Sequence, residues 1–154
     1  MQLADFLDCD AIKTSLPGGN KKSLLQQLAN LAAQRLEVDS ATVLASLAER
    51  EALGSTGFGQ GVAIPHGKIE GLDRIYGLFA RLGEPVDYKA IDGRPVDLVF
   101  LLLSPPDAGA EHLKALAAIS RVTRHGATLE RLRGARTRDA LAAVLMGAEE
   151  LDAA

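Results

Sequence analysis

The chain has 154 residues, 47% of them hydrophobic and 24% charged, with a formal net charge of −3. That is enough apolar content for one buried core and excludes a disordered chain, while the negative balance argues against nucleic acid as a principal partner. The lone Cys9 excludes an internal disulfide, no apolar run reaches transmembrane length, and Asp5 and Asp8 interrupt an N-terminus without a basic signal region, so a cytoplasmic protein with no membrane insertion is expected.

In chain order, Ala11 to Leu16 alternates, with Ile12, Thr14 and Leu16 on one side, and predicts a short strand that Pro17-Gly18-Gly19 breaks. Asn20 caps a helix from Lys21 to about Leu36, whose apolar stripe is Leu24, Leu28 and Leu31, widened by Leu25 and Ala32. The GGNKKS run lacks the glycine spacing and Gly-Lys-Ser/Thr ending of a P-loop and reads as a turn into this helix. A second helix starts at Asp39 or Ser40 and stops at Gly54, burying Val43 and Leu47. Arg50 falls on the same stripe one step further on. Its spacing alone favours an arginine snorkelling off a helix end.

The sequence then runs REALGSTGFGQGVAIPHGK from Arg50 to Lys68, with glycines at 54, 57, 59 and 61 ahead of the apolar Val62-Ala63-Ile64. Glycines so dense cost conformational entropy and allow positive φ or close approach of another molecule to the backbone. Pro65 restricts its own φ and pushes Ile64 towards an extended conformation, so His66 stands at the end of a stiff strand beside the side-chain-free Gly67. A turn at Glu70-Gly71 leads to a strand from Ile75 to Leu82, ended by Gly83-Glu84-Pro85. Val86-Asp87-Tyr88 reads as a short edge strand and Asp92-Gly93 as a turn. Val96 to Leu103 is apolar except for Asp97 and predicts a central strand covered on both faces, stopped by Ser104-Pro105-Pro106.

A third helix is expected from about Ala110 to Arg124 with Leu113, Leu116, Ala117 and Ser120 on one face and His112 in its first turn. A short helix follows around Thr128 to Leu132, then a last one from the cap Thr137 to Met146. Strands interspersed with helices, with no repeat or linker, predict one α/β domain spanning residues 1–154, its core about 3–147, in a helix–sheet–helix layering.

Of the three histidines, His66 has a rigid, glycine-flanked mounting suited to a nucleophilic imidazole, and His112 lies near the unpaired N–H groups of a helix start, a favourable place for an anion. His125 precedes Gly126 in a loop and carries no functional assignment. Their spacing is not that of metal ligands, so no metal or cofactor is expected. Gly57-Phe58-Gly59-Gln60-Gly61 is one residue short of the dinucleotide fingerprint and precedes a strand instead of opening a helix, and no G-x-S-x-G elbow is present.

The run LGSTGFGQGVAIPHGK resembles the active-site signature of the fructose/mannitol-type enzyme IIA domains of the bacterial phosphotransferase system. MQLADFL and SLPGGNKKSLLQQLA look most like its free-standing, nitrogen-related branch. The resemblance covers the chain from about Leu3 to the last helix. It implies a mixed sheet flanked by helices, a phosphoryl group carried on His66, and His112, in the matching Glu-His-Leu setting, beside it. It also moves Arg50 from the helix surface into the site. Arg50 and Lys68 would then offset phosphoryl charge, and the loop through Ser55, Thr56, Gly57, Gly59 and Gly61 would support it with backbone N–H groups. With no nucleotide motif, the implied donor is an HPr-like phosphocarrier, and the branch implies regulatory protein targets. The alternatives are a sugar-specific carrier feeding a IIB domain and a binding module that acts by contact alone. Phe58 is either a docking contact or a plug in the core.

Overall fold

The computed structural model describes residues 1–153, with side chains through residue 148. Six strands form one mixed sheet: β1 (Lys13–Leu16), β2 (Gly57–Gly59), β3 (Val62–Ala63), β4 (His66–Lys68), β5 (Tyr76–Val86) and β6 (Val96–Ser104). Five helices accompany them: α1 (Lys21–Leu36), α2 (Ser40–Ala52), α3 (Gly109–Thr123), α4 (Gly126–Gly134) and α5 (Arg138–Ala153). The sheet order is β1-β5-β6-β3-β2, and β4 also pairs with β6, in line beyond β3. β5 and β6 run antiparallel, whereas β3 and β4 run parallel to β6.

The central strand sorts its side chains by parity, as the twofold period of a strand requires. Val99, Leu101 and Leu103 pack with Leu24, Leu28, Val43 and Leu47 of α1 and α2. Leu98, Phe100 and Leu102 pack with Ala115, Ile119, Leu129 and Leu141 of α3, α4 and α5. Each large aliphatic side chain so covered contributes about 1.5–3 kcal/mol relative to exposure, and this fixes the layering.

Local signals set several boundaries. The Asn20 side chain accepts the Ser23 amide at 2.8 Å and starts α1 where the sequence places it. Thr137 Oγ1 accepts the Ala140 amide and caps α5 in the same way. Other expectations need correction. β5 does not end at Gly83 but continues through Pro85 to Val86, with a register irregularity after Arg81 that absorbs the proline. Val86-Asp87-Tyr88 is therefore no separate strand. Val86 closes β5, and Tyr88 is fully buried between the sheet and α1.

The largest correction concerns α3. Its buried residues are His112, Ala115, Ala118, Ile119 and Val122, not the face through Leu113, Leu116, Ala117 and Ser120, and Leu113 is 66% exposed. The two leucines suggest one face by spacing alone, whereas Ile119 and Val122, with His112 and two alanines, form the packed one. The predicted α4 and α5 are both longer than the sequence signals suggest.

Candidate functional site

The site lies where the last turn of α2 and the first turn of α3 meet the strand β4. In β4, His66 pairs with Leu102 and Lys68 with Ser104 of the central strand. Helix α2 approaches this strand closely. A Cβ on Gly67 would run into Ser46 Oγ and stand 3.1 Å from Ser46 Cβ, so only glycine fits beneath the helix. Ser46 Oγ donates in turn to the Lys68 carbonyl at 3.0 Å.

The His66 ring is buried, at 8% exposure. Its Nδ1 lies 2.7 Å from the Ile64 carbonyl, which can only accept, so Nδ1 carries the ring proton and Nε2 presents its lone pair. Arg50 Nε donates to that Nε2 at 3.2 Å, and Arg50 Nη1 donates to the Gly54 carbonyl at 2.9 Å. Burial lowers the His66 pKa, and the Arg50 charge adds to this against opposing contributions from the Ile64 carbonyl and Glu51. The ring is thus neutral at pH 7.

His112 reaches the same place from α3, its ring centroid 5.5 Å from that of His66 at an angle of 52°. Burial, with the nearby His66 and Lys68, pushes its pKa down to about 4. Its Nδ1 sits 2.6 Å from Ser104 Oγ. His66, His112, Arg50 and Lys68 line one open cavity of about 400 Å³ with Ser46, Glu49, Leu53 and Gly67. Two neutral imidazoles, a guanidinium and an ammonium around such a space suit a small, multiply charged oxyanion.

The glycine loop lies elsewhere. Gly57 to Val62 forms a hairpin of β2 and β3, and Gly57, Gly59 and Gly61 do not line the cavity. Gly57 is pressed against Ala90 and Tyr88, Gly59 (φ +115°) against Asp92, and Gly61 (φ +78°) against Arg133 and Asp97. Their close approach is thus to the 88–97 segment and α4. Ser55 Oγ accepts the Gly57 amide, and Thr56 is buried with its hydroxyl on the Glu51 carboxylate. Phe58 is 49% exposed, which rules out a core plug; it borders a neighbouring groove with Ile64, Ser120 and Thr123.

A group that sequence reasoning missed stands directly behind Arg50. Glu51 forms an ion pair with Lys21 at 2.8 Å, accepts the Tyr88 hydroxyl at 2.8 Å and the Thr56 amide at 3.2 Å, and accepts the Thr56 hydroxyl. Burial alone would raise its pKa, but these donors hold it below the ordinary glutamate value. Lys21 also lies over the Tyr88 ring, 4.5 Å from its centre. The cluster ties the start of α1, the end of α2, the 54–57 loop and the 88 segment together next to the arginine. No short-range pattern connects residues 21, 51, 56 and 88.

A mixed sheet between helical layers, with a paired histidine cavity at the end of its parallel strands, defines a known class of protein. Residues 5–147 match the family described as "Phosphoenolpyruvate-dependent sugar phosphotransferase system, EIIA 2", and the chain belongs to that family. Within it, the chain is similar to proteins named nitrogen regulatory protein. One from Bradyrhizobium diazoefficiens is 48% identical over 145 residues, covering 94% of this chain and 95% of the relative. Another, from Pseudomonas aeruginosa, is 46% identical over 128 residues, covering 82% and 83%. The crystal structure of nitrogen regulatory protein IIA-Ntr from Neisseria meningitidis superposes with a TM-score of 0.87 at 36% identity, covering 93% of this chain and 98% of that one. Among the described residues no helix is long and apolar enough to cross a membrane.

Proposed function

We propose that the chain is a phosphoryl carrier that accepts a phosphoryl group on His66 Nε2 from an HPr-like phosphohistidine protein and acts on regulatory protein targets through its phosphorylation state. The observation that carries this reading is the held tautomer of His66: Nδ1–H on the Ile64 carbonyl and an Nε2 lone pair facing the cavity. The Nε2 lone pair attacks phosphorus, the donor P–N bond breaks, and its electron pair returns to the donor nitrogen. Positive charge arising on the His66 ring rests against the Ile64 carbonyl.

Arg50 has to release Nε2 as phosphorus arrives and takes a phosphoryl oxygen in its place. Its anchor at the Gly54 carbonyl keeps the guanidinium at hand during that exchange. His112 and Lys68 meet the remaining oxygens. In this reading Ser55, Thr56, Gly57, Gly59 and Gly61 act by shaping the hairpin that leads to His66, and not by direct contact. Phe58, with the 83% exposed Leu53 at the cavity rim, forms an apolar contact for the docking protein.

Incubation with a phosphorylated HPr-like carrier, followed by intact-mass measurement, tests the reading. One added phosphoryl group, labile in acid and absent from His66→Ala, is the expected result. An adduct that survives that substitution places the chemistry on another residue.

A further inference from the structure

His112 is neutral at pH 7, so its ring holds one proton, and the nitrogen that holds it decides whether the side chain repels or binds a phosphoryl oxygen. The residue that settles this lies on another element. Ser104 is the last residue of β6 and is fully buried. It continues the parity of Leu98, Phe100 and Leu102, which face the layer of α3. Where the next apolar side chain of that series would stand, a hydroxyl meets the first turn of the helix instead.

We propose that Ser104 is a positioning residue for His112: its hydroxyl donates to Nδ1, fixes the ring as the Nε2–H tautomer, and so aims a neutral N–H donor at phosphoryl oxygens on His66. This purpose rests on the carrier function proposed above; the tautomer itself does not. Two observations carry the assignment. The 2.6 Å contact with His112 Nδ1 is the only hydrogen bond that the Ser104 side chain makes among the described residues. Were Nδ1 protonated, the serine proton would be left without an acceptor at a fully buried position, a costly arrangement; with Ser104 as donor, both groups are satisfied. Secondly, among the described residues His112 Nε2 has no hydrogen-bond partner, yet Thr128 Oγ1 is the only fully buried side-chain N or O there without one. His112 Nε2 is therefore accessible, and His112 lines the cavity shared with His66, Arg50 and Lys68. A hydroxyl behind the ring and an accessible nitrogen in front make an oriented donor.

The test has two arms on the full chain. Long-range ¹H–¹⁵N correlation spectra of the unmodified protein report the tautomer of His112 in the native chain, Ser104→Ala and Ser104→Thr. Phosphoramidate, a small phosphoryl donor that releases ammonia as the P–N bond breaks, then gives the rate of His66 phosphorylation for each. The native chain and Ser104→Thr should both hold the Nε2–H form, and Ser104→Ala should mix the two tautomers. Ser104→Ala should also slow phosphorylation by about 10-fold, less than the 10²–10³-fold typical of deleting a donor outright. In a His112→Ala background the same serine substitution should have no further effect. An Nδ1–H tautomer in the native chain, an unchanged spectrum in Ser104→Ala, or a rate loss that persists without His112 would each overturn the assignment. If phosphoramidate leaves native His66 unmodified, the carrier reading fails while the spectra still decide the role of Ser104.

Discussion

Arg50 donates its Nε–H to the same nitrogen of His66 from which a bond to phosphorus would form, at 3.2 Å. The guanidinium therefore occupies the attacking position in the resting protein. On the proposed carrier reading it must exchange a ring nitrogen for a phosphoryl oxygen during transfer, and its shape matters as much as its charge. Arg50→Ala should slow phosphorylation of His66 by about 10²–10³-fold. Arg50→Lys should recover only a minor part of this, because a single ammonium cannot hold the Gly54 carbonyl and the incoming oxygen together. Single-turnover transfer rates check both; equal rates for Arg50→Lys and the native chain would reduce Arg50 to a general source of charge.

The neutral histidines make the fold sensitive to acid. A histidine whose folded pKa lies below its unfolded value binds more protons when unfolded, so stability is full above the unfolded pKa and falls as pH drops towards the folded one. For His112 that window runs from about 6.5 to about 4. Its size sets a loss of at most about 3 kcal/mol, reduced by solvent screening of a ring that opens on the cavity, with His66 adding in the same direction. Urea titrations of native chain and His112→Gln at pH 7.5 and 5 should show a smaller acid loss in the variant. An equal loss in both would remove His112 from the account.

The buried carboxylate behind the site should be costly to disturb. Tyr88→Phe removes one of the donors to Glu51 while keeping the ring that packs under Lys21, and should cost about 1–3 kcal/mol. Glu51→Ala strips Lys21, Thr56 and Tyr88 of their shared acceptor and should cost about 3–5 kcal/mol. Denaturant midpoints give both values, and a Glu51→Ala chain as stable as the native one would show the cluster to be dispensable.

Gly67→Ala should distort the site through the helix above it. The new methyl meets Ser46 Oγ and lies 3.1 Å from its Cβ, so either α2 or β4 must move, at about 1–3 kcal/mol. Adding Ser46→Ala removes the nearest atom, and the double variant should regain much of both stability and transfer rate. A loss in Gly67→Ala that Ser46→Ala does not relieve would locate the strain elsewhere.

The proposed signalling role predicts a partner that distinguishes two charge states. A phosphoryl group adds roughly −1.5 to −2 charges, by analogy with other phosphorylated side chains, on a surface where Phe58 and Leu53 offer apolar contact. A coupling of about 1–3 kcal/mol, or 5–150-fold in affinity, is typical of such a switch. Pull-downs from native lysate with both forms, alongside a transfer assay to a sugar-specific IIB domain, separate the possibilities. Rapid transfer to that domain with no state-dependent partner recovered would favour sugar transport.

What the sequence made legible follows the range of the interaction. Asn20 and the start of α1 could be read because a cap acts within three residues. His66 could be read because Pro65 and Gly67 constrain it from either side. The glycine loop was readable as a place of close approach, but not as to what approaches: Gly57, Gly59 and Gly61 face Ala90, Asp92 and Asp97, set by chain return from β5 to β6. Ser104 looked like a strand stop beside two prolines, and only the meeting of β6 with α3 puts it on His112. Leu113 misled because a leucine usually marks the covered face of a helix, and here Ile119 and Val122 do, with His112 and two alanines beside them.

The alternation along Leu98 to Leu103 makes the middle of the sheet a counting device. A single residue inserted into β6 would hand Phe100 and the leucines on either side of it to the wrong helices, and would turn Ser104 away from His112 at the same stroke. An insertion in the exposed turn at Asp92-Gly93 leaves that count intact. Length variants of this family should therefore tolerate change at the turn and resist it in β6, and a designer wishing to graft a new binding loop has the former as the safe place to cut.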